Sequence, residues 1–407
     1  MSGVARGGSR FVYRLPQEKN DFAPRVGLSL DPAGDGKTTV RAAYGLFYDD
    51  QIAGNLSTTV IHGGDPAFAR TLTLPFPASI GAWRAPGRKL PQPATPFPSA
   101  VFVFDPALAT PYSHQASLGI DRALGRNVTL SLSGLYVRGF DQLGALDLNP
   151  LVPALGPGRR PNDVAGRPGT SASITQFSSY GESWYQGLVV ALGKSFSGRS
   201  QFLLSYTLSK AEDTTTDFFN LPEDGGQGRN PEDPTGLPLG FDPNRERGPS
   251  INDQRHRFVA SGLYLFPWGV NASAIAAFGS GRPFTPLAGV DLNGSGDPTA
   301  IPPDRARRNP LDPGSSVGRN SETTADQFTV DVRLSKKMGL GGGAAVEAIA
   351  EAFNVFDRVN FSEINDVFGP GAFPNQPLRD ARGRVIYGLY NKALAPRQIQ
   401  LALRLSF

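Results

Sequence analysis

The feature that most constrains this chain is a strict alternation of apolar and polar residues that recurs along its length. The final segment shows it best, because every second residue is apolar and the chain stops on one of them: Ile399, Leu401, Leu403, Leu405 and Phe407. The residues between them include Gln398, Gln400, Arg404 and Ser406. A period of two places the two sets on opposite faces of a β-strand. A sheet over a soluble core gives the same pattern. The alternation therefore predicts strands and does not by itself say what their apolar face contacts.

The alternation predicts eleven strands, most of them 9 to 14 residues long. That length lets a tilted strand cross a bilayer. The expected spans are 21–31, 37–49, 113–124, 126–139, 184–196, 199–212, 252–265, 269–280, 326–338, 342–355 and 397–407. The sequence therefore predicts an all-β fold, an antiparallel up-and-down transmembrane β-barrel. An odd number of strands cannot close with antiparallel pairing throughout, so we expect an open half-barrel with edges at 21–31 and 397–407.

The connections between these strands alternate in length. The short ones lie at 32–36, near 125, and at 197–198, 266–268 and 339–341; the long ones are roughly 50–112, 140–183, 213–251, 281–325 and 356–396. Outer-membrane barrels have short periplasmic turns and long extracellular loops, whereas compact soluble domains rarely carry so many long loops. Phe407 lies at the same end as the short turns. We therefore expect a Gram-negative cell outer membrane location, with the C-terminus periplasmic.

Aromatic residues concentrate near the predicted strand ends, as bilayer interfaces select. Those near the long loops are Tyr44, Phe47, Tyr48, Trp184, Tyr185, Phe353 and Phe356, and those near the short turns are Phe196, Phe266, Trp268 and Phe407. Ordinary core aromatics are the alternative interpretation.

Composition narrows the function classes. Cysteine is absent, which excludes disulfides and thiolate metal sites. The net charge is only +4 and no dense Lys/Arg run occurs, so we expect no nucleic-acid partner. The mean hydropathy of −0.24 suits a barrel, whose apolar surface is spread over alternate residues. The N-terminal residues lack an apolar stretch, so no signal peptide is expected.

A set of short segments, in a fixed order over nearly the whole chain, resembles TonB-dependent receptors of the Oar-like type. The segments are Phe22-Ala-Pro-Arg-Val-Gly-Leu28, Tyr44-Gly-Leu-Phe-Tyr48, Thr110-Pro-Tyr-Ser-His-Gln115, Ser183-Trp-Tyr-Gln-Gly-Leu188, Tyr206-Thr-Leu-Ser-Lys210, Asp253-Gln-Arg-His-Arg-Phe258, Ser280-Gly-Arg-Pro-Phe284, Glu351-Ala-Phe-Asn-Val-Phe356 and the terminal Phe407. Each segment is weak alone, and the ordered set carries the resemblance.

The resemblance implies a barrel of about 22 strands around a plug, in a receptor that imports a scarce ligand with energy from the inner membrane. The eleven predicted strands would be its C-terminal half. Residues 1–20 would then be a loop or truncated strand, and 21–407 the barrel portion. We expect the plug domain, the TonB-contacting segment and a preceding carboxypeptidase-regulatory-like domain to be missing, and this fragment alone to be transport-incompetent.

The implied partners are outer-membrane lipid, the barrel-assembly machinery, the TonB complex through the plug domain, and an unknown small ligand or peptide. The ligand class stays open among siderophore, cobalamin, oligosaccharide and peptide. Two alternatives remain: a passive porin or adhesin-like barrel without TonB coupling, and a secreted all-β binding protein.

Candidate site residues are structural rather than catalytic. Polar residues on the last three strands are expected to face the lumen and form ion pairs there: Asp331, Arg333, Glu347, Glu351 and Arg404. The alternating apolar set Ile399, Leu401, Leu403, Leu405 and Phe407 resembles the terminal strand signal that the barrel-assembly machinery reads. Asp291-Leu-Asn-Gly-Ser-Gly-Asp297 resembles the start of a calcium loop but lacks its closing Glu, so a solvated turn is expected. We expect no enzyme activity, cofactor or metal.

Overall fold

A computed structural model describes residues 21–49, 100–149, 155–156, 159–163, 173–215, 237–238, 243–292 and 304–407. Its strands are β1 (Arg25–Leu30), β2 (Thr38–Tyr48), β3 (Ala100–Phe104), β4 (Tyr112–Ala123), β5 (Val128–Asp147), β6 (Ser173–Ser197), β7 (Ser200–Asp213), β8 (Leu237–Pro238), β9 (Gly248–Pro249), β10 (His256–Leu265), β11 (Val270–Gly279), β12 (Pro283–Phe284), β13 (Glu322–Thr323), β14 (Gln327–Gly341), β15 (Ala344–Phe353), β16 (Phe361–Ile364), β17 (Tyr390–Ala393) and β18 (Gln398–Ser406). Two short 3-10 helices span Pro243–Glu246 and Pro313–Ser315.

Eleven of these strands form one antiparallel sheet in the order β1-β2-β4-β5-β6-β7-β10-β11-β14-β15-β18, which follows the chain. These are the eleven strands that the alternation predicts, and the all-β antiparallel fold is confirmed. Within the described residues β1 pairs only with β2 and β18 only with β15. The sheet therefore stays open, as its odd strand number predicts. Residues 1–20 lie outside the described part of the chain.

Tight turns join the strands at one end of the sheet, which we call the short-turn end. In the turn between β1 and β2, the Asp31 carboxylate accepts hydrogen bonds from the backbone N–H groups of Gly34 at 3.0 Å and Gly36 at 2.7 Å. Both glycines have a φ of 68°, a left-handed conformation that residues with a Cβ rarely adopt. The strand ends that the long connections join lie at the opposite end of the sheet, here the long-loop end.

The two faces of the sheet differ sharply in chemistry. Directly opposed residues on neighbouring strands share a face, and the register joins Leu403 to Ala348 and Ala348 to Lys336. The apolar face defined in this way carries the most exposed hydrophobic side chains of β18, with Leu403 78% exposed. The other face, here the polar face, carries Arg333, Glu351 and their neighbours. Among the described residues, no helix has the length and apolar character needed to cross a membrane.

Strands β5 and β6 extend well beyond the predicted ends at 139 and 184. The register shifts between Gly139 and Gln142, where Asp141 has a φ of 54°. This bulge inserts an extra residue and breaks the period of two, so the alternation no longer marks the strand. Beyond it, Leu143 packs with Phe104, Leu108 and Phe177 into a small buried core above the sheet.

Candidate functional site

The five predicted polar candidates lie on one face of three adjacent strands. They are Asp331 and Arg333 on β14, Glu347 and Glu351 on β15, and Arg404 on β18. Arg333 Nη1 lies 2.8 Å from Glu351 Oε1, and Glu347 stands directly opposite Arg404. Asp331 Oδ1 accepts a hydrogen bond from the Asn354 backbone N–H at 2.8 Å, at the end of β15. The arrangement can hold the three strands in register.

The predicted assembly residues occupy the opposite face of β18. Ile399, Leu401, Leu403 and Leu405 are between 60% and 78% exposed, and Phe407 is fully exposed. Four of the five lie in β18 and Phe407 directly follows it; β18 is an edge strand whose outer hydrogen-bonding groups have no strand partner among the described residues.

The most organised region away from the sheet is one that the alternation does not predict. Residues 281–292, 304–326 and 356–396, here the loop cap, fold together at the long-loop end. Its core comprises Ala306, Val317 and Phe368, all at most 1% exposed, with Phe373 and Tyr387 packed against them. The Phe368 ring meets those of Phe373 and Tyr387 edge-on, at centroid distances of 4.9 and 5.2 Å.

Backbone hydrogen bonds join the two loops that form the cap. The Leu287 N–H donates to the Asp366 carbonyl at 2.9 Å, and the Phe368 N–H donates back to the Leu287 carbonyl at 2.8 Å. At the base of the cap, β12 pairs with β13 and β16 pairs with β17. The loops therefore form one packed unit, which can present fixed side chains to a ligand.

Two buried ion pairs tie the cap to the neighbouring part of the barrel. Arg305 pairs with Glu246, and Arg319 pairs with Asp213 at the end of β7. The Arg319 Nε also donates to the Glu246 carbonyl at 2.8 Å. All four charged side chains are at most 9% exposed. Breaking such a pair leaves an uncompensated buried charge, so the two pairs restrict how the cap can move.

Two titratable groups in the cap have pKa values shifted away from neutral pH. Burial raises the pKa of the Tyr387 hydroxyl above its ordinary value, and the nearby acidic Glu322 and Asp366 add to the effect. Hydrogen bonds from the Arg384 backbone and side chain lower the pKa of Asp380. At neutral pH the cap therefore has a neutral tyrosine inside and a fixed anion at its surface.

Within the described residues, no group of three or more His, Asp or Glu side chains is placed to hold a metal ion. Of the calcium-like segment, 293–297 lies outside the described residues. His114 and His256 each hydrogen-bond a tyrosine on the apolar face, Tyr44 and Tyr206, with Nδ1–Oη distances of 2.5 and 2.8 Å.

Sequence reasoning missed the cap and the ion pairs that anchor it. Their only sequence signal is the high content of Pro, Gly, Asp and Arg between 281 and 325. That composition indicates a loop and does not show that the loop is packed.

Comparisons with known proteins agree with this geometry. The family described as an outer membrane beta barrel domain matches residues 4–400. The outer membrane transporter YddB from Escherichia coli is similar with a TM-score of 0.54 at 11% identity, covering 94% of this chain and 40% of that structure. The ferric enterobactin receptor PfeA from Pseudomonas aeruginosa is similar with a TM-score of 0.50 at 12% identity, covering 94% of this chain and 39% of that one.

The chain thus spans about two fifths of the length of these two solved structures. At such identities the similarity concerns the fold. No sequence among the curated proteins is similar enough to this chain to count as a match.

Proposed function

The chain belongs to the family of outer membrane β-barrel domains, and on that premise we propose that it is part of a TonB-dependent receptor, which binds a scarce ligand and imports it across the outer membrane. The observation that carries the proposal is the open eleven-stranded sheet, which is similar to about two fifths of an outer membrane transporter. Membership in this family gives no support to the alternative of a secreted all-β binding protein.

The strand directions support a role as part of a larger barrel. Strands β1 and β18 both run from the long-loop end to the short-turn end, because an odd number of antiparallel strands begins and ends in the same direction. Antiparallel closure then needs a further odd number of strands whose outermost members run the opposite way. The chain alone would be transport-incompetent, and the complete barrel would be the functional unit.

The loop cap is the proposed ligand-binding element. Its packed core and buried ion pairs hold side chains in place before a ligand arrives, which reduces the entropy lost on binding. This requires the long-loop end to face the cell exterior and Phe407 to face the periplasm.

Single-cysteine labelling tests that orientation, since the chain has no native cysteine. Leu311→Cys places a thiol in the cap, where the native side chain is 92% exposed, and Ala33→Cys places one in the turn between β1 and β2. A membrane-impermeant maleimide added to intact cells should label only Leu311→Cys. Labelling of Ala33→Cys alone would reverse the orientation and remove the cap from ligand binding.

Import is tested by uptake in cells that make the complete receptor containing this chain. Labelled ferric enterobactin, cobalamin, an oligosaccharide and a peptide are supplied in turn, with and without a protonophore. The proposal expects one ligand class to accumulate and that accumulation to stop when the proton gradient collapses. Uptake that survives the protonophore would instead support a passive porin.

The barrel-assembly machinery is the proposed partner of β18. Its unpaired edge can accept another strand by β-augmentation, and the exposed Phe407 ring offers a terminal anchor. In the full-length receptor, Phe407→Asp should reduce heat-modifiable, surface-exposed protein more than Leu403→Ala does. Burial in lipid alone predicts the opposite order, because Leu403 lies deeper, and that order would refute the signal.

A further inference from the structure

A furrow of about 620 Å³ crosses the apolar face of β4, β5, β6 and β7. Gly134 and Ala116 form its floor, because neither has a side chain large enough to fill the space between its neighbours. Leu118, Leu188 and Leu208 form its walls. In register, Leu118 lies opposite Gly134, Gly134 opposite Leu188, and Leu188 opposite Leu208. The furrow is therefore an apolar channel on the surface that faces lipid.

Polar groups close the furrow toward the long-loop end. Gln186 and Lys210 line it there, directly opposite each other on β6 and β7. One row further along, Arg138 stands opposite Trp184 and packs its guanidinium over that ring at 3.8 Å. Arg247 packs over the same indole ring at 4.0 Å. This shelf of cations and one aromatic ring lies beside the apolar channel at the level of the sheet where the long loops begin.

The cations of the shelf share few carboxylates among the described residues. Arg138 pairs with Glu182 at 2.6 Å, while Lys210 at 2.6 Å and Arg247 at 2.9 Å share the single carboxylate of Glu212. Lys210 and Arg247 therefore keep donors that can face a further anion. Guanidinium groups and lysine are the side chains that bind phosphate oxygens through charge-assisted hydrogen bonds.

We propose that this furrow and shelf form a binding site for one membrane lipid with a phosphate-bearing headgroup, in the leaflet at the long-loop end. One acyl chain lies over Gly134 between the leucine walls. The headgroup phosphate meets Lys210 and the guanidinium edges of Arg138 and Arg247, at the depth where amphipathic aromatic rings settle. The site uses no residue of the loop cap, although Arg247 and Glu212 adjoin Glu246 and Asp213, to which the cap is tied.

A second furrow provides an internal comparison. It has a volume of about 720 Å³ on the apolar face of β14, β15 and β18, with Lys336 at its short-turn side. Lys336 is the only charged residue on the outward positions of these three strands, which the structure describes completely. It has no aromatic or guanidinium neighbour across the register, where it faces Val270 and Ala348. A lone lysine attracts anions in general, whereas the shelf should select a phosphate.

The test uses the complete receptor that contains this chain, in zwitterionic detergent, with bound lipid counted by native mass spectrometry. The probes are diphosphoryl lipid A, a lipid of the same chain number without phosphate, and inorganic phosphate alone. The proposal expects one diphosphoryl lipid A retained per chain. Equal retention of the phosphate-free lipid, or binding of inorganic phosphate without any lipid retained, would overturn it.

Two pairs of variants locate the site. Lys210→Gln should lower the affinity for lipid A about tenfold, as expected for the loss of a charge-assisted hydrogen bond, while Lys336→Gln on the same face should not. Gly134→Leu should abolish retention by filling the channel; its new Cβ would meet nothing closer than the Leu118 carbonyl oxygen at 4.0 Å, so folding is preserved.

Gly193→Leu is the control for the channel, since Gly193 lies on the polar face of β6 and has comparable room. Retention by Gly134→Leu equal to that of Gly193→Leu would overturn the proposed channel. Equal losses in Lys210→Gln and Lys336→Gln would reduce the shelf to general charge attraction and overturn its selectivity.

Discussion

The eleven-stranded sheet, here the wall, and the loop cap differ in which side chains they expose. In the wall, apolar side chains are the exposed ones, and Leu401 on β18 is 77% exposed. The cap instead has a buried apolar core, in which Phe368 is 1% exposed. The charges that anchor the cap are buried as well: Arg319 is 3% exposed and paired, whereas Arg333 on the polar face of the sheet is 45% exposed.

The difference is the one expected of a chain folded for two solvents. The cap gains stability by removing apolar surface from water, as soluble domains do. The wall exposes its apolar surface, as a surface proposed to face lipid would, and satisfies its backbone groups by strand pairing. The same type of substitution should therefore be severe in one region and mild in the other, because the surroundings of the side chain differ.

The largest effect is expected where the cap buries a charge. Arg319→Met leaves Asp213 without this cation, and such a break costs about 3–5 kcal/mol. Because the damage is local to the cap, limited proteolysis and hydrogen exchange of residues 304–325 should report it while the sheet stays protected. Arg384→Met removes an exposed pair with Asp380, which water and salt screen, and should leave the proteolysis and hydrogen exchange of the cap nearly unchanged. Equal effects of the two variants would mean that the cap interior is open to water.

The next largest effect is expected on the lipid side of the wall. Leu401→Arg places a charge against the hydrocarbon and should lower the free energy of unfolding in vesicles by about 2–4 kcal/mol. Gln400→Arg changes the adjacent residue on the polar face and should stay within about 0.5 kcal/mol. Denaturant titration of both variants in phospholipid vesicles measures the difference. If Gln400→Arg were the more damaging, the assignment of the two faces would be reversed.

The wall was predictable from the sequence and the cap was not, for a physical reason. Strand alternation is a local property, so the residues from Gln398 to Ser406 are enough to predict that this segment forms a strand. The contacts of the cap join distant residues: Arg305 and Glu246 are 59 positions apart, and Arg319 and Asp213 are 106 apart. No periodic pattern accompanies such contacts.

The wall itself has one stretch that alternation fails to describe. At Asp141 a bulge shifts the phase, and the extensions of β5 and β6 toward Asp147 and Ser173 were assigned to a loop. The register puts the polar candidates on a common face of the sheet, because their strands contain no such bulge up to Gly339. Their role in the lumen stays a prediction.

A moderate effect is expected where the cap joins the wall. A Cβ added at Gly281 would overlap the Thr324 carbonyl oxygen, a backbone atom that cannot rotate away. Gly281→Ala should therefore push apart the two backbone segments at the base of the cap and lower the free energy of unfolding by about 1–3 kcal/mol. Hydrogen exchange at the Thr324 N–H, which donates to the Arg282 carbonyl at 2.9 Å, follows this directly.

Gly339→Ala serves as the control for that junction, because nothing lies within 4 Å of its new Cβ. The two glycines separate crowding from the intrinsic effect of replacing glycine. Slow exchange at Thr324 in both variants would show that the base of the cap tolerates the extra atom.

The smallest effect is expected on the polar face. Arg333→Ala removes a partly exposed pair with Glu351 and should cost less than about 1 kcal/mol. The same denaturant titration in vesicles measures it beside Leu401→Arg. A loss as large as that of Arg319→Met would mean that the polar face is as dry as the cap interior.

The most direct test of the account asks which solvent each face of β18 meets. Leu401→Cys and Gln400→Cys, each labelled with a bimane fluorophore, are placed in vesicles containing spin-labelled lipid, and then in vesicles with iodide in the water. The account predicts that lipid quenches the probe at 401 more strongly than the probe at 400, and that iodide does the reverse. Strong iodide quenching at 401, with no difference between the two positions in spin-labelled lipid, would contradict a lipid-facing wall.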